Sequence, residues 1–256
     1  MIANYHTHTY RCHHASGTER EYIEKAIAEG LTVMGFSDHV PMPFPDGHQS
    51  GFRIRIEELE DYIRTLEALR EEYRDRIQIL IGFEAEYYPA YFEDMLRLLE
   101  PYDYDYMILG QHFIDNETAP YNATPMTAED ALCRYVDQVL EGLSTGKYTY
   151  LAHPDVYNFV GDEAIYEYHM RRLCEGCRQM NIPIEVNLLG LMGGRHYPSD
   201  RFFRIAGEVG NKAIIGCDAH HTKDVADPAA MRAGAEFAAR YGLDVLETVE
   251  LRDPKK

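Results

Sequence analysis

The chain has 256 residues, a formal net charge of −18 at pH 7, 45% apolar residues and no tryptophan. So acidic a balance argues against a nucleic-acid partner, because that binding rests on Lys and Arg. No apolar run reaches the length of a membrane span and no basic segment leads into one, so the expectation is a cytoplasmic protein without a membrane partner.

Five cysteines in no framework-like spacing fit a reducing compartment, and Cys174-x-x-Cys177 reads as helix packing because no second pair accompanies it. Apolar runs that suit buried parallel strands alternate seven times with amphipathic stretches, which predicts an α/β fold. Ile2 to Tyr5 opens strand one and runs into His6-x-His8, with His14 six residues later. A helix over about 18–30 stops at Gly30, and LTVMGFSDH (31–39) is strand two. The Pro/Gly-rich stretch 41–51 is long enough to cover an active site. A strongly periodic helix over 56–73 precedes strand three, IQILIGFEAEY (77–87). A helix starting at Pro89 leads to strand four, YDYMILGQHF (104–113), and a Thr-capped helix (127–146) to strand five, YTYLAHPD (148–155). Then come a helix over about 161–180, strand six, IPIEVNLLG (182–190), and a short helix from Ser199. Strand seven is KAIIGCDAHH (212–221), and a helix over about 228–241 closes the chain. No linker or low-complexity tract interrupts this order, so residues 1–256 read as a single domain.

Alternate strand residues face one side, so His6 and His8 can address one centre together. Asp38 and His39 end strand two, Glu84 strand three, His112 strand four, His153 strand five, and Asp218-x-His220 strand seven. Every group falls at the carboxyl end of its strand, the active-site face of parallel α/β folds. Random placement would put some of them at helix centres. Imidazoles and carboxylates in that pattern point to bound metal.

The set HTH, His14, SDH, GFE, GQH, AHPD and CDAH resembles the PHP (polymerase and histidinol phosphatase) superfamily, over residues 6 to about 222. The resemblance implies a distorted (β/α)7 barrel with two to three divalent ions (Zn, Mn or Fe) at the carboxyl ends of its strands. Carried over, His6, His8, Glu84 and Asp218 would hold one ion, and Glu84 would bridge to a second completed by His112 and His153. His14, His39 and His220 would hold the third. Glu84, Asp218 and His220 are then the candidate catalytic residues. His13 competes with His14 and Glu86 with Glu84. The family's spacing favours His14 and Glu84, with Glu86 beside them on the same strand face.

Length, SDHVPMP, AHPDVYNF and EVN…YPS are most similar to the stand-alone histidinol-phosphate phosphatases of that superfamily. This implies a phosphoric monoester hydrolase that releases phosphate from L-histidinol phosphate, in histidine biosynthesis. The alternative is the same chemistry on a nucleotide, a sugar phosphate or a phosphotyrosyl protein. Candidate substrate contacts are Arg195 for phosphate, with Asn187 and Glu86; Glu86 or Glu185 would meet the ammonium group. Arg53 and Arg55 read as solvated surface at a helix start. The expected partner is one small phosphorylated substrate, and self-association is compatible with the sequence.

Overall fold

A computed structural model of the chain describes residues 2–256. The apolar runs pair as parallel strands. β1 (Ala3–Asn4) lies beside β2 (Val33–Phe36), which lies beside β3 (Gln78–Ala85) and then β4 (Tyr106–Leu109). A second group orders β5 (Ile184–Asn187), β6 (Lys212–Gly216) and β7 (Asp244–Val245). Leu151 joins the two groups, bridging Leu109 on one side and Ile184 on the other. A further parallel bridge, Thr7 to Ala219, brings the stretch after β1 against the stretch after β6. The result is a curled sheet of parallel strands.

Helices follow the strands and cover the outer face of the curl. They are α1 (Glu19–Ala28), α2 (Leu59–Tyr73), α3 (Phe92–Leu99), α4 (Glu129–Ser144), α5 (Glu163–Gln179), α6 (Leu188–Met192), α7 (Asp200–Val209) and α8 (Pro228–Arg240). Local chemistry sets their starts. Thr18 and Glu21 form a reciprocal capping box on α1, and Asp162, Ser199 and Asp227 cap α5, α7 and α8. α2 shows why such segments dock: Leu59, Tyr62, Ile63, Leu66, Leu69 and Tyr73 recur at helical spacing and are all buried. Each such side chain contributes about 1.5–3 kcal/mol by leaving water. All five cysteines are free, and Cys174 and Cys177 are buried packing residues of α5.

A separate apolar plug fills the inside of the curl, built from Tyr5, Leu80, Tyr106, Ile108, Tyr150 and Ile214. Leu246, Val249 and Leu251 of the C-terminal segment close it from below. The volume above the plug is left for polar groups.

Three elements differ from the pattern read in the sequence. Strand five shrinks to a single bridged residue, although Thr149, Leu151 and Ala152 still donate backbone hydrogen bonds to neighbouring segments. Pro154 has no donor and His153 takes φ +27°, so the ladder cannot continue. Strand six stops at Asn187, whose side chain accepts from Gly190 N and starts α6. The chain also continues past α8 into β7, which pairs with the start of β6. Among the described residues, no helix is long and apolar enough to cross a membrane.

Candidate metal centre

The histidines gather because each strand ends by turning its last polar side chains over the plug. Asn4 braces the first of these turns: its Nδ2 donates to His6 O at 3.2 Å and Thr7 Oγ1 at 2.7 Å, and its Oδ1 accepts from Cys217 N at 2.9 Å. Asp38 accepts from Thr9 N at 2.7 Å and Thr9 Oγ1 at 2.8 Å, so it fixes the turn after His8.

Glu84 stands at the centre. Its Oε2 is 3.2 Å from Nε2 of both His6 and His8 and 3.3 Å from His39 Nδ1. Its Oε1 is 2.8 Å from His153 Nε2 and 3.5 Å from His112 Nε2. Asp218 Oδ1 completes the other side, 3.4 Å from His6 Nε2, 3.3 Å from His8 Nε2 and 3.4 Å from His220 Nδ1. His220 Nε2 meets His14 Nε2 at 2.9 Å. All nine predicted ligands therefore converge. His13 does not: its ring turns outward to Glu58 at 3.1 Å.

Two glycines make room for the carboxylates. A Cβ on Gly110 would lie 1.8 Å from Glu84 Oε1, and one on Gly216 would lie 1.8 Å from Glu185 Oε1. His153 and Asp218 hold positive φ, +27° and +47°, a conformation rarely adopted by side-chain-bearing residues. Strain of that kind persists where surrounding structure enforces it, commonly at functional sites.

A surrounding layer sets the imidazoles. His6 Nδ1 is 2.7 Å from Glu185 Oε1, and His112 Nδ1 is 2.8 Å from Glu86 Oε1. His14 Nδ1 donates to Cys12 O at 2.8 Å. Anchoring one ring nitrogen and aiming the other inward is how ligating histidines are held. Burial raises the Glu84 carboxyl, but His39, His6 and His112 overturn that and hold it well below the usual range. Burial likewise opposes the charge on Asp218, and His6, His8 and His220 keep it ionised. His39 is pushed well below its ordinary value by burial, and His220 to about 3 by burial beside His8. His6, His8 and His153 are shifted the other way, because the carboxylates of Glu84, Asp218 and Glu185 beside them outweigh burial.

The residues fit divalent ions on two counts. The donors are imidazoles and carboxylates in groups whose atoms lie within 4.8 Å of one another, a set suited to zinc, manganese or iron. Both ring nitrogens of His8 and Nδ1 of His39 are buried without a hydrogen-bond partner, and an ion would take the lone pair of one nitrogen on each ring.

The cluster floors a cavity of about 730 Å³ whose other walls include Phe52, Phe113, Tyr121, Arg195, Tyr197 and His221. Arg195 donates to the Tyr197 hydroxyl at 2.7 Å. Three expected substrate contacts are placed otherwise. Glu86 is fully buried between His112 and Arg53, so both its oxygens are engaged. Asn187 is also fully buried, and its Nδ2 donates to Glu185 Oε2 at 2.9 Å and Asp218 Oδ2 at 3.0 Å, which orients Asp218. Glu185 is tied to His6 and to His153 N and has no free oxygen for an ammonium group. Arg53 is buried rather than solvated, while Arg55 is exposed as expected. Sequence reading missed Asn4 and the bracing role of Glu185. A carboxylate inside the buried strand Ile184–Asn187 was the available signal for the second.

Comparison with known proteins follows the same lines. The chain is 27% identical over 237 residues to a probable histidinol-phosphatase of Deinococcus radiodurans, with 88% of each chain covered. It is 31% identical over 120 residues to a histidinol-phosphatase of Bacillus subtilis, which covers 44% of this chain and 45% of that one. Its fold matches, with a TM-score of 0.72 and 18% identity over 97% of each chain, a histidinol phosphate phosphatase from Lactococcus lactis complexed with zinc, L-histidinol and phosphate. The PHP domain model matches residues 4–188, from β1 through the end of β5, and the chain belongs to the PHP domain family.

Proposed function

We propose that this protein is a metal-dependent phosphomonoesterase that hydrolyses L-histidinol phosphate to L-histidinol and inorganic phosphate. The observation that carries the reading is the convergence of nine imidazole and carboxylate side chains, seven of which line a cavity that also presents Arg195. The similarity to the Deinococcus radiodurans relative over 88% of both chains supports the choice of substrate. In this reading residues 1–256 form one domain, a distorted (β/α)7 barrel whose strands open onto the site. The five free thiols suit a reducing cytoplasm.

His6, His8, Glu84 and Asp218 would hold one ion, Glu84, His112 and His153 a second, and His14, His39 and His220 a third. Divalent ions there supply positive charge for the phosphoryl oxygens and lower the pKa of water. The chain's own groups do the rest. Arg195 keeps guanidinium N–H groups beyond its bond to Tyr197 and would hold the phosphate. Asn187 and Glu185 keep Asp218 and His6 aimed inward. Apart from Glu84 and Asp218 no carboxylate lines the cavity among the described residues, so the cationic end of the substrate falls to the faces of Phe52, Phe113 and Tyr121.

The test is phosphate release from a panel of monoesters after reconstitution with zinc, manganese or iron. Histidinol phosphate is expected to exceed p-nitrophenyl phosphate and sugar phosphates in kcat/KM by about tenfold or more, roughly 1.4 kcal/mol. Equal values across the panel would remove the histidinol assignment and leave a general phosphatase.

A further inference from the structure

Arg53 is 2% exposed and lies where two segments meet over His112. Its Nη2 is 2.7 Å from Glu86 Oε2, its Nε donates to Glu117, and its Nη1 donates to Val40 O at 3.3 Å. The guanidinium carbon sits 4.7 Å from the centre of the Phe52 ring. That ring in turn stands edge-on to His39, with centroids 5.0 Å apart. The Pro-rich stretch 41–51 is tied to the same carboxylate, since His48 Nε2 is 3.1 Å from Glu117 Oε2.

Glu86 passes this charge inward through its 2.8 Å contact with His112 Nδ1. A carboxylate can only accept, so Nδ1 carries the proton, and Nε2 is the nitrogen turned toward Glu84. A buried carboxylate needs a paired cation to remain ionised, and Arg53 is that cation. Two carboxylates share one guanidinium, which leaves negative charge to bear on the His112 N–H and to make its other nitrogen a better donor.

We propose that Arg53 is a positioning residue. Through Glu86 it fixes the tautomer and orientation of His112, and through Glu117 and Phe52 it holds the 41–51 stretch and the 113–121 segment against the same imidazole. The proposal rests on His112 as a metal ligand, and the experiment keeps the two ideas apart. Arg53→Met, Arg53→Lys and Glu86→Gln are compared with wild type by chelator competition for each bound ion and by ¹⁵N NMR of His112 in the metal-free protein. In Arg53→Met and Glu86→Gln one ion is expected to bind about 10–100-fold more weakly while the others are retained. His112 should also change from one tautomer to a mixture. Arg53→Lys keeps the charge and should recover part of the lost affinity. A merely structural arginine would lower the melting temperature and move neither readout. Folded Arg53→Met with wild-type ion affinity and an unchanged tautomer overturns the proposal. If that variant does not fold, the nearly isosteric Glu86→Gln decides by the same two readouts. Wild-type protein that takes up no metal would overturn the functional reading, and the tautomer would still decide the role of Arg53.

Discussion

At the floor of the cluster His6 and His8 are fully buried, whereas at the rim His14 is exposed and the His220 side chain is 15% exposed. The bracing differs in the same sense. His6 leans on the buried carboxylate of Glu185 at 2.7 Å, but His14 and His220 lean on backbone carbonyls, Cys12 O at 2.8 Å and Asp218 O at 3.0 Å. A charged acceptor raises the basicity of a ligating imidazole more than a neutral one does. The floor is therefore built to hold charge tightly, and the rim to hold it where solvent and substrate arrive.

The largest effect should come from the floor. Glu84→Gln should lower turnover a hundredfold or more, about 2.7 kcal/mol, because a neutral amide cannot balance the cations around it. Elemental analysis should find at least two ions weakened while the circular dichroism spectrum is unchanged. Wild-type turnover would show that Glu84 bridges nothing.

A smaller effect belongs to the rim. His14→Ala should weaken a single ion by about tenfold, and chelator titration of the wild type should remove that ion first. If His14→Ala matched Glu84→Gln in both turnover and metal content, the distinction between floor and rim would collapse.

The smallest effect concerns the loop that carries Arg195. His196 Nε2 donates to Val156 O at 2.9 Å, and burial, only partly offset by that bond, lowers the pKa of the ring. The folded state therefore binds a proton less readily than the unfolded state. Stability from this group is complete above the unfolded value of about 6.5 and is lost as pH falls below it. His196→Asn should flatten the acid side of a melting-temperature profile, and an unchanged profile would exclude His196 as a contributor.

Much of this site was legible in one dimension because ligands at strand ends leave a local trace. Period-2 spacing put His6 and His8 on one side, and apolar runs marked where each strand would stop. The start of α1 was equally readable at Thr18, but Thr127, read as the cap of the helix after strand four, does not serve: Ala128 holds that position without a side-chain bond. Arg53 was misread because it follows a Pro/Gly-rich loop at a helix start, where arginines are usually solvated, while the partners that bury it, Glu86 and Glu117, lie 33 and 64 residues away. Strand five was overextended because nothing in YTYLAHPD announces the positive φ of His153.

The sequence by itself determined the alternation of strands and helices, the identity of the metal-competent side chains and the family to which they point. These depend on residue type, periodicity and near-neighbour hydrogen bonds, which a linear chain carries intact. Only the tertiary structure decided what each carboxylate is for. Glu84, Glu86 and Glu185 are chemically alike and all buried, Glu84 and Glu185 on strands and Glu86 just past the end of one. Glu84 faces five imidazoles, Glu86 meets a guanidinium and one imidazole, and Glu185 meets one imidazole and the side chain of Asn187. The role of a buried charge is set by the groups that compensate it, and those groups come from distant parts of the chain that meet only when the sheet curls.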